Sequence, residues 1–62
     1  MNDKQQLLYD LYRTSPPRRF SGSLATAYHR GLTLRIAAPY PRTSLAHAAW
    51  MAGRDRRKET EK

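Results

Sequence analysis

The sequence predicts an all-α protein: an antiparallel pair of short helices joined by a Pro-Tyr-Pro turn, with an additional amphipathic helix ahead of them. Three observations carry this. Apolar residues recur at three- and four-residue steps in three separate stretches, prolines at 16–17 and 39–41 divide those stretches, and no segment alternates in the manner of a half-buried strand. The 62 residues leave room for one small domain. A chain of this size buries only about 60% of the surface its unfolded form exposes. With no cysteine in the sequence, no disulfide or thiolate metal site can support it, and stability must come from helix packing, self-association or a partner.

The first helix is predicted over 3–13, with Asp3 as its N-cap and Leu7, Leu8, Leu11 and Tyr12 as its apolar stripe. Lys4, Asp10 and Arg13 fill the rest of the circumference. So short a helix is not stable alone in water and must dock. Packed on its own chain it would bury Leu7, Leu8 and Leu11; left exposed, those leucines would form a self-association or partner surface. Thr14, Ser15, Pro16 and Pro17 end it, because proline lacks the amide donor and biases its predecessor towards extended geometry. Residues 14–22 then read as a linker, with Arg18 and Arg19 beside Phe20 as a basic arm.

The core pair is predicted to occupy 23–57. Its first helix should begin at a Ser21 or Ser23 cap and run over 23–38, with Leu24, Tyr28, Leu32 and Ile36 on one face. Gly31 beside that stripe costs about 1 kcal/mol relative to alanine in a helix interior, so it is expected where another backbone comes close. Pro39 and Pro41 then break the helix, and Thr43 or Ser44 caps the next, over 44–57. Its narrow stripe is Leu45, Ala48, Ala49 and Ala52, with Trp50 on a second ridge beside Ala46 and Gly53. Trp50 is expected to be buried between helices, with Gly53 allowing close packing. The few-residue connection favours antiparallel pairing. The tail 58–62 has no apolar content and should fray.

The charge pattern bounds the function. The net charge is +7, and between Arg13 and Lys58 ten basic residues, nine of them arginine, face a single acid, Asp55. Arginine offers a planar five-donor fork suited to phosphates and to stacking on bases. Nothing points to catalysis: neither His29 nor His47 has an acid placed next to it by sequence, the glycines at 22, 31 and 53 form no phosphate loop, and paired carboxylates are missing from the body of the chain. The expectation is a binding protein, not an enzyme, with no cofactor and no metal. Its first thirty residues hold no signal-peptide core and no apolar run approaches a membrane span, so a cytoplasmic location, no membrane partner, and a monomer or small homo-oligomer are expected.

The favoured partner is RNA. In a paired arrangement Arg30 and Arg35, Arg42 in the turn, and Arg54, Arg56, Arg57 and Lys58 would converge, the terminal cluster returning towards the start of the second helix and the Arg18-Arg19 arm. That surface would follow a phosphate backbone, and Tyr40 or Trp50 would stack on an unpaired base. The alternative is a small phage-type inhibitor that grips a host protein through Leu7, Leu8, Leu11 and Tyr12.

Ala27-Tyr28-His29-Arg30-Gly31, then Pro39-Tyr40-Pro41, then Ala49-Trp50-Met51-Ala52-Gly53-Arg54 resemble the pattern of the ribosome modulation factor family, including its phage and plasmid relatives. The resemblance covers about residues 25–58. It implies a helix–turn–helix-shaped pair that binds the small ribosomal subunit near the 3′ end of its RNA, competes with messenger engagement and promotes inactive ribosome dimers. By position, Arg30, Gly31, Pro39, Tyr40, Trp50 and Gly53 would be the shared framework. This chain carries Arg54 where the family commonly has a second tryptophan, and its segment between Gly31 and Pro39 is shorter than in many members. A plasmid branch, CrpP, has been linked to quinolone phosphorylation, for which this sequence holds no nucleotide-binding loop.

Overall fold

A computed structural model of the chain describes residues 2–18, 22–34 and 36–61. These form three α-helices, α1 (Asp3–Thr14), α2 (Ser23–Thr33) and α3 (Leu45–Thr60), with no strand among the described residues. Helix α3 is the central element. Both α1 and α2 pack against it, and the core is formed by Ala27, Tyr28, Ala49, Trp50 and Ala52, with Leu8, Tyr12, Leu24, Leu32 and Met51 around them.

Helix α1 starts at Asp3 as expected, but its cap lies one residue earlier. Asn2, not Asp3, is the N-cap: its side chain accepts from the Gln5 amide at 2.9 Å, and the Gln5 side chain accepts in return from the Asn2 amide at 3.0 Å. This reciprocal box satisfies two amides that the helix itself cannot. Asp3 in the first turn still complements the positive end of the helix dipole.

The face that α1 turns inward differs from the expected stripe. Leu8 and Tyr12 pack on the core as expected, but Leu7 is 72% and Leu11 53% exposed. The inward face is completed instead by Gln5, Tyr9 and Arg13, four residues apart on one row. Gln5 Nε2 donates to the backbone carbonyls of Arg42 and Ser44 at 2.7 and 2.9 Å, the Tyr9 hydroxyl donates to Asp55, and Arg13 pairs with Glu59. These contacts advance together along both helices, so α1 lies along α3 in the same direction. The physical reason is the partner surface. The row of α3 that starts at the Ser44 cap and passes Ala48, Ala52, Asp55 and Glu59 offers small side chains and acceptors, which suit a glutamine, a tyrosine and an arginine better than two more leucines.

Helix α2 ends at Thr33, five residues short of the expected Ala38, and Leu34 is already extended. Its N-cap is Gly22, so Ser23 is the first helical residue and not the cap; Ser21 lies outside the described residues. The four-residue apolar step continues to Ile36, yet Ile36 is 55% exposed. The β-branched Thr33 and Ile36 add little intrinsic helix preference. The helix ends early, and residues 36–44 lead into α3.

Helices α2 and α3 meet backbone to backbone. A methyl group placed on Gly31 would overlap the Trp50 carbonyl, and one placed on Gly53 would overlap the Tyr28 carbonyl. The two glycines thus set how closely the helices cross, as expected for Gly31 and Gly53. Ala25, Ala27, Ala48, Ala49 and Ala52 keep the same region thin, each no more than 4% exposed. Trp50, also 4% exposed, closes the core. Leu45, placed on the α3 stripe by its spacing, is instead 38% exposed, since it precedes the region that α2 covers. Of the two expected caps of α3, Thr43 and Ser44, it is Ser44 that serves, accepting from the His47 amide, and the helix runs to Thr60, through most of the segment expected to fray.

Candidate nucleic-acid interface

The connection ahead of α3, residues 36–44, is held at its far end by a small set of hydrogen bonds. Pro41 and Ser44 close a tight turn, the Ser44 amide and hydroxyl both donating to the Pro41 carbonyl at 3.0 and 2.7 Å. From the other side, the buried Gln5 amide ties down the carbonyls of Arg42 and Ser44. The turn is therefore fixed by a residue nearly forty positions away in sequence. Tyr40, half-buried, accepts a hydrogen bond on its hydroxyl from Arg30 Nη1 at 3.0 Å, which links the connection to α2.

Opposite this connection, α3 presents His47, Trp50, Met51 and Arg54, which share one face because they lie at helical spacings. The His47 ring stacks on Trp50 with centroids 6.5 Å apart and planes at 21°. The Arg54 guanidinium lies 5.6 Å from the Trp50 ring centre, a cation–π contact that orients it. Between α3 and the connection is a cleft of about 500 Å³, lined by Ala37, Ala38, Tyr40 and Arg42 on one side and His47, Trp50, Met51 and Arg54 on the other.

The electrostatics of the cleft are positive. No carboxylate lines it, and among the described residues none pairs with Arg42. Arg54 is partly neutralised by Asp55, whose Oδ1 accepts from Arg54 Nε and Nη2 at 3.2 and 3.1 Å. His47 is pushed below its ordinary value by burial first and then by the charges of Arg42 and Arg54, so it is neutral near pH 7. Two buried nitrogens of lining residues, His47 Nδ1 and Trp50 Nε1, lack a hydrogen-bond partner among the described residues. Such groups cost about 1–3 kcal/mol each when left unpaired.

Of the basic residues singled out by sequence, Arg30, Arg42 and Arg54 gather with Tyr40 around this cleft. Arg56 and Lys58 are exposed farther along α3, and Arg18 is exposed in the connection after α1. Arg57 donates to the Leu34 carbonyl at 2.6 Å, so it reaches the end of α2 and not its start, and one of the terminal arginines closes off a helix end. Arg19 and Arg35 lie outside the described residues. Gln5 is the residue that sequence reasoning passed over. Its signal was present, since Asn2 followed three positions later by a glutamine is a capping pattern, but the pattern says nothing of the second use of its amide. No group of three His, Cys, Asp or Glu that could hold a metal occurs among the described residues, and no helix there is long and apolar enough to cross a membrane.

No family model, curated protein or solved structure matches this chain.

Proposed function

We propose that this protein is an RNA-binding regulator that acts on the ribosome. The observation that supports it best is the cleft beside α3, where Arg42 and Arg54 flank half-buried Tyr40 with no acid in the lining. Guanidinium groups around an aromatic ring are what single-stranded RNA requires: charge for the backbone and a flat surface for an unstacked base. Arg30, Arg56, Lys58 and Arg18, all exposed, extend the positive surface beyond the cleft. Small-subunit RNA is the target that the resemblance to ribosome modulation factors implies, and occlusion of that RNA would silence translation.

The test is a titration of ribosomal subunits and of a generic single-stranded RNA at several salt concentrations. If about five cations neutralise phosphates, log affinity falls with log salt at a slope of roughly −3 to −4. Absence of binding to either at low salt retires the proposal.

A second reading is favoured by the exposure of Leu7 and Leu11 on α1. In it the chain grips a host protein through those leucines, as a small phage-type inhibitor would. It predicts weak salt dependence and loss of the partner when Leu7 and Leu11 become serine.

A further inference from the structure

We propose that the cleft between the 37–42 segment and α3 is a site for one unpaired nucleotide, its phosphate held between Arg42 and Arg54 and its base laid against Tyr40. This inference rests on the RNA-binding reading and assigns a ligand unit to its central site. The cleft is about 500 Å³, within the range of small-molecule sites and far too small for a helix or a duplex. A paired base could not enter it, whereas a splayed base in a single strand could.

The division of the lining matches the two halves of a nucleotide. One part of the lining is apolar or aromatic, with Tyr40, Trp50 and Met51; the other is cationic, with Arg42 and Arg54. A bare anion would have no use for the first part, nor a neutral aromatic molecule for the second. The cationic part is preorganised. Arg54 is fixed by Asp55 and by its contact with Trp50, and the backbone of Arg42 is pinned by Gln5. Tyr40 is held by Arg30, so its ring does not have to be ordered when a base arrives. His47 is held below its ordinary value by burial first and then by the charges of Arg42 and Arg54, and an anion between the two arginines would relieve the second influence.

The test uses the full chain, whose single tryptophan reports on the cleft, together with amide and side-chain NMR. Adenosine monophosphate, adenosine, inorganic phosphate and a short single-stranded oligoribonucleotide are titrated separately. The nucleotide should shift Trp50 emission and the Tyr40, Met51 and Arg54 resonances, and should bind about tenfold or more tighter than either adenosine or phosphate. Arg42→Gln, at an exposed position, should keep the melting temperature and weaken the nucleotide about tenfold, the size expected for one charged hydrogen bond. Tyr40→Leu should weaken the nucleotide while leaving phosphate binding unchanged. Equal binding of phosphate and nucleotide, or nucleotide shifts that map elsewhere, overturns the site. An oligoribonucleotide that binds without moving the Tyr40 and Trp50 signals overturns the site and leaves RNA binding standing. Nucleotide binding in the cleft without oligoribonucleotide binding supports the site and retires the RNA reading.

Discussion

The two seams along α3 are built on opposite principles. Against α2, the contact is dry and made of small residues: Gly31 and Gly53 bring backbones together, the alanines leave no gap, and Tyr28 and Trp50 supply the bulk. Against α1, much of the contact is polar, with Gln5 on two carbonyls, Tyr9 on Asp55 and Arg13 on Glu59, beside the apolar Leu8 and Tyr12. The first seam has shape as its only specification and tolerates no added atom. The second has partners as its specification and depends on protonation and salt. A domain of this size has a total stability of roughly 3–9 kcal/mol, so the loss of either seam is consequential.

The largest effect should follow from emptying the dry seam. Trp50→Ala removes the largest core side chain and should cost about 3–5 kcal/mol, enough to abolish a cooperative thermal transition. A variant that melts with wild-type cooperativity would show Trp50 to be a surface stacking platform and not part of the core. Next is the opposite insult, Gly31→Ala. Alanine gains about 1 kcal/mol of helix preference but forces the helices apart at a backbone contact, and overpacking of this kind costs about 1–3 kcal/mol or more. A lowered denaturation midpoint is expected; a raised one would mean that the crossing is looser than the structure has it.

The polar seam should yield in smaller steps. Gln5→Ala removes half of the capping box and both bonds to the 42–44 turn, for about 1–3 kcal/mol. Because the same turn carries Arg42, hydrogen exchange should speed up at residues 42–44 as well as in α1, and RNA affinity should fall. Exchange confined to α1 would separate the seam from the cleft. Replacing Arg13 should change stability by about 1 kcal/mol or less, since its pair with Glu59 is partly exposed.

Protonation separates the seams in another way. Burial is the largest influence on Asp55 and acts upward, but the hydrogen bonds from Tyr9 and Arg54 and the charges of Arg54 and Arg13 outweigh it and hold the carboxyl below its ordinary value. A depressed carboxyl contributes stability above its unfolded value and loses it as pH falls through the folded one. His47, also depressed, takes up its proton more readily in the unfolded chain, so stability begins to fall once pH drops below about 6.5. Tyr9 is raised, chiefly by its hydrogen bond to Asp55 and then by burial, and its contribution is lost as pH rises through its folded value, above the ordinary 10.0. Thermal melts should therefore show a plateau near neutrality with losses on both sides. Tyr9→Phe should shrink the most acidic step and leave the His47 step in place. An unchanged acid limb would mean that Asp55 draws its stabilisation from the arginines alone.

By itself the sequence determined the helical class, the three stretches, a hydroxyl cap at Thr43 or Ser44, the burial of Trp50 and the close approach at Gly31 and Gly53. Each of these follows from a local property: a 3.6-residue period, a hydroxyl before an apolar run, or a missing side chain inside a helix. What only the tertiary structure decided was which of the two rows flanking Leu8 and Tyr12 on α1 turned inward, where α2 stopped, and that Arg30, Tyr40, Arg42 and Arg54 came to one place. Leu7 and Leu11 flank Leu8 and Tyr12 on one side, Gln5, Tyr9 and Arg13 flank them on the other about 160° away, and periodicity alone does not say which flank turns inward. The choice was made by Asp55, Glu59 and the two carbonyls at the start of α3, acceptors that become neighbours of α1 only when the chain has folded.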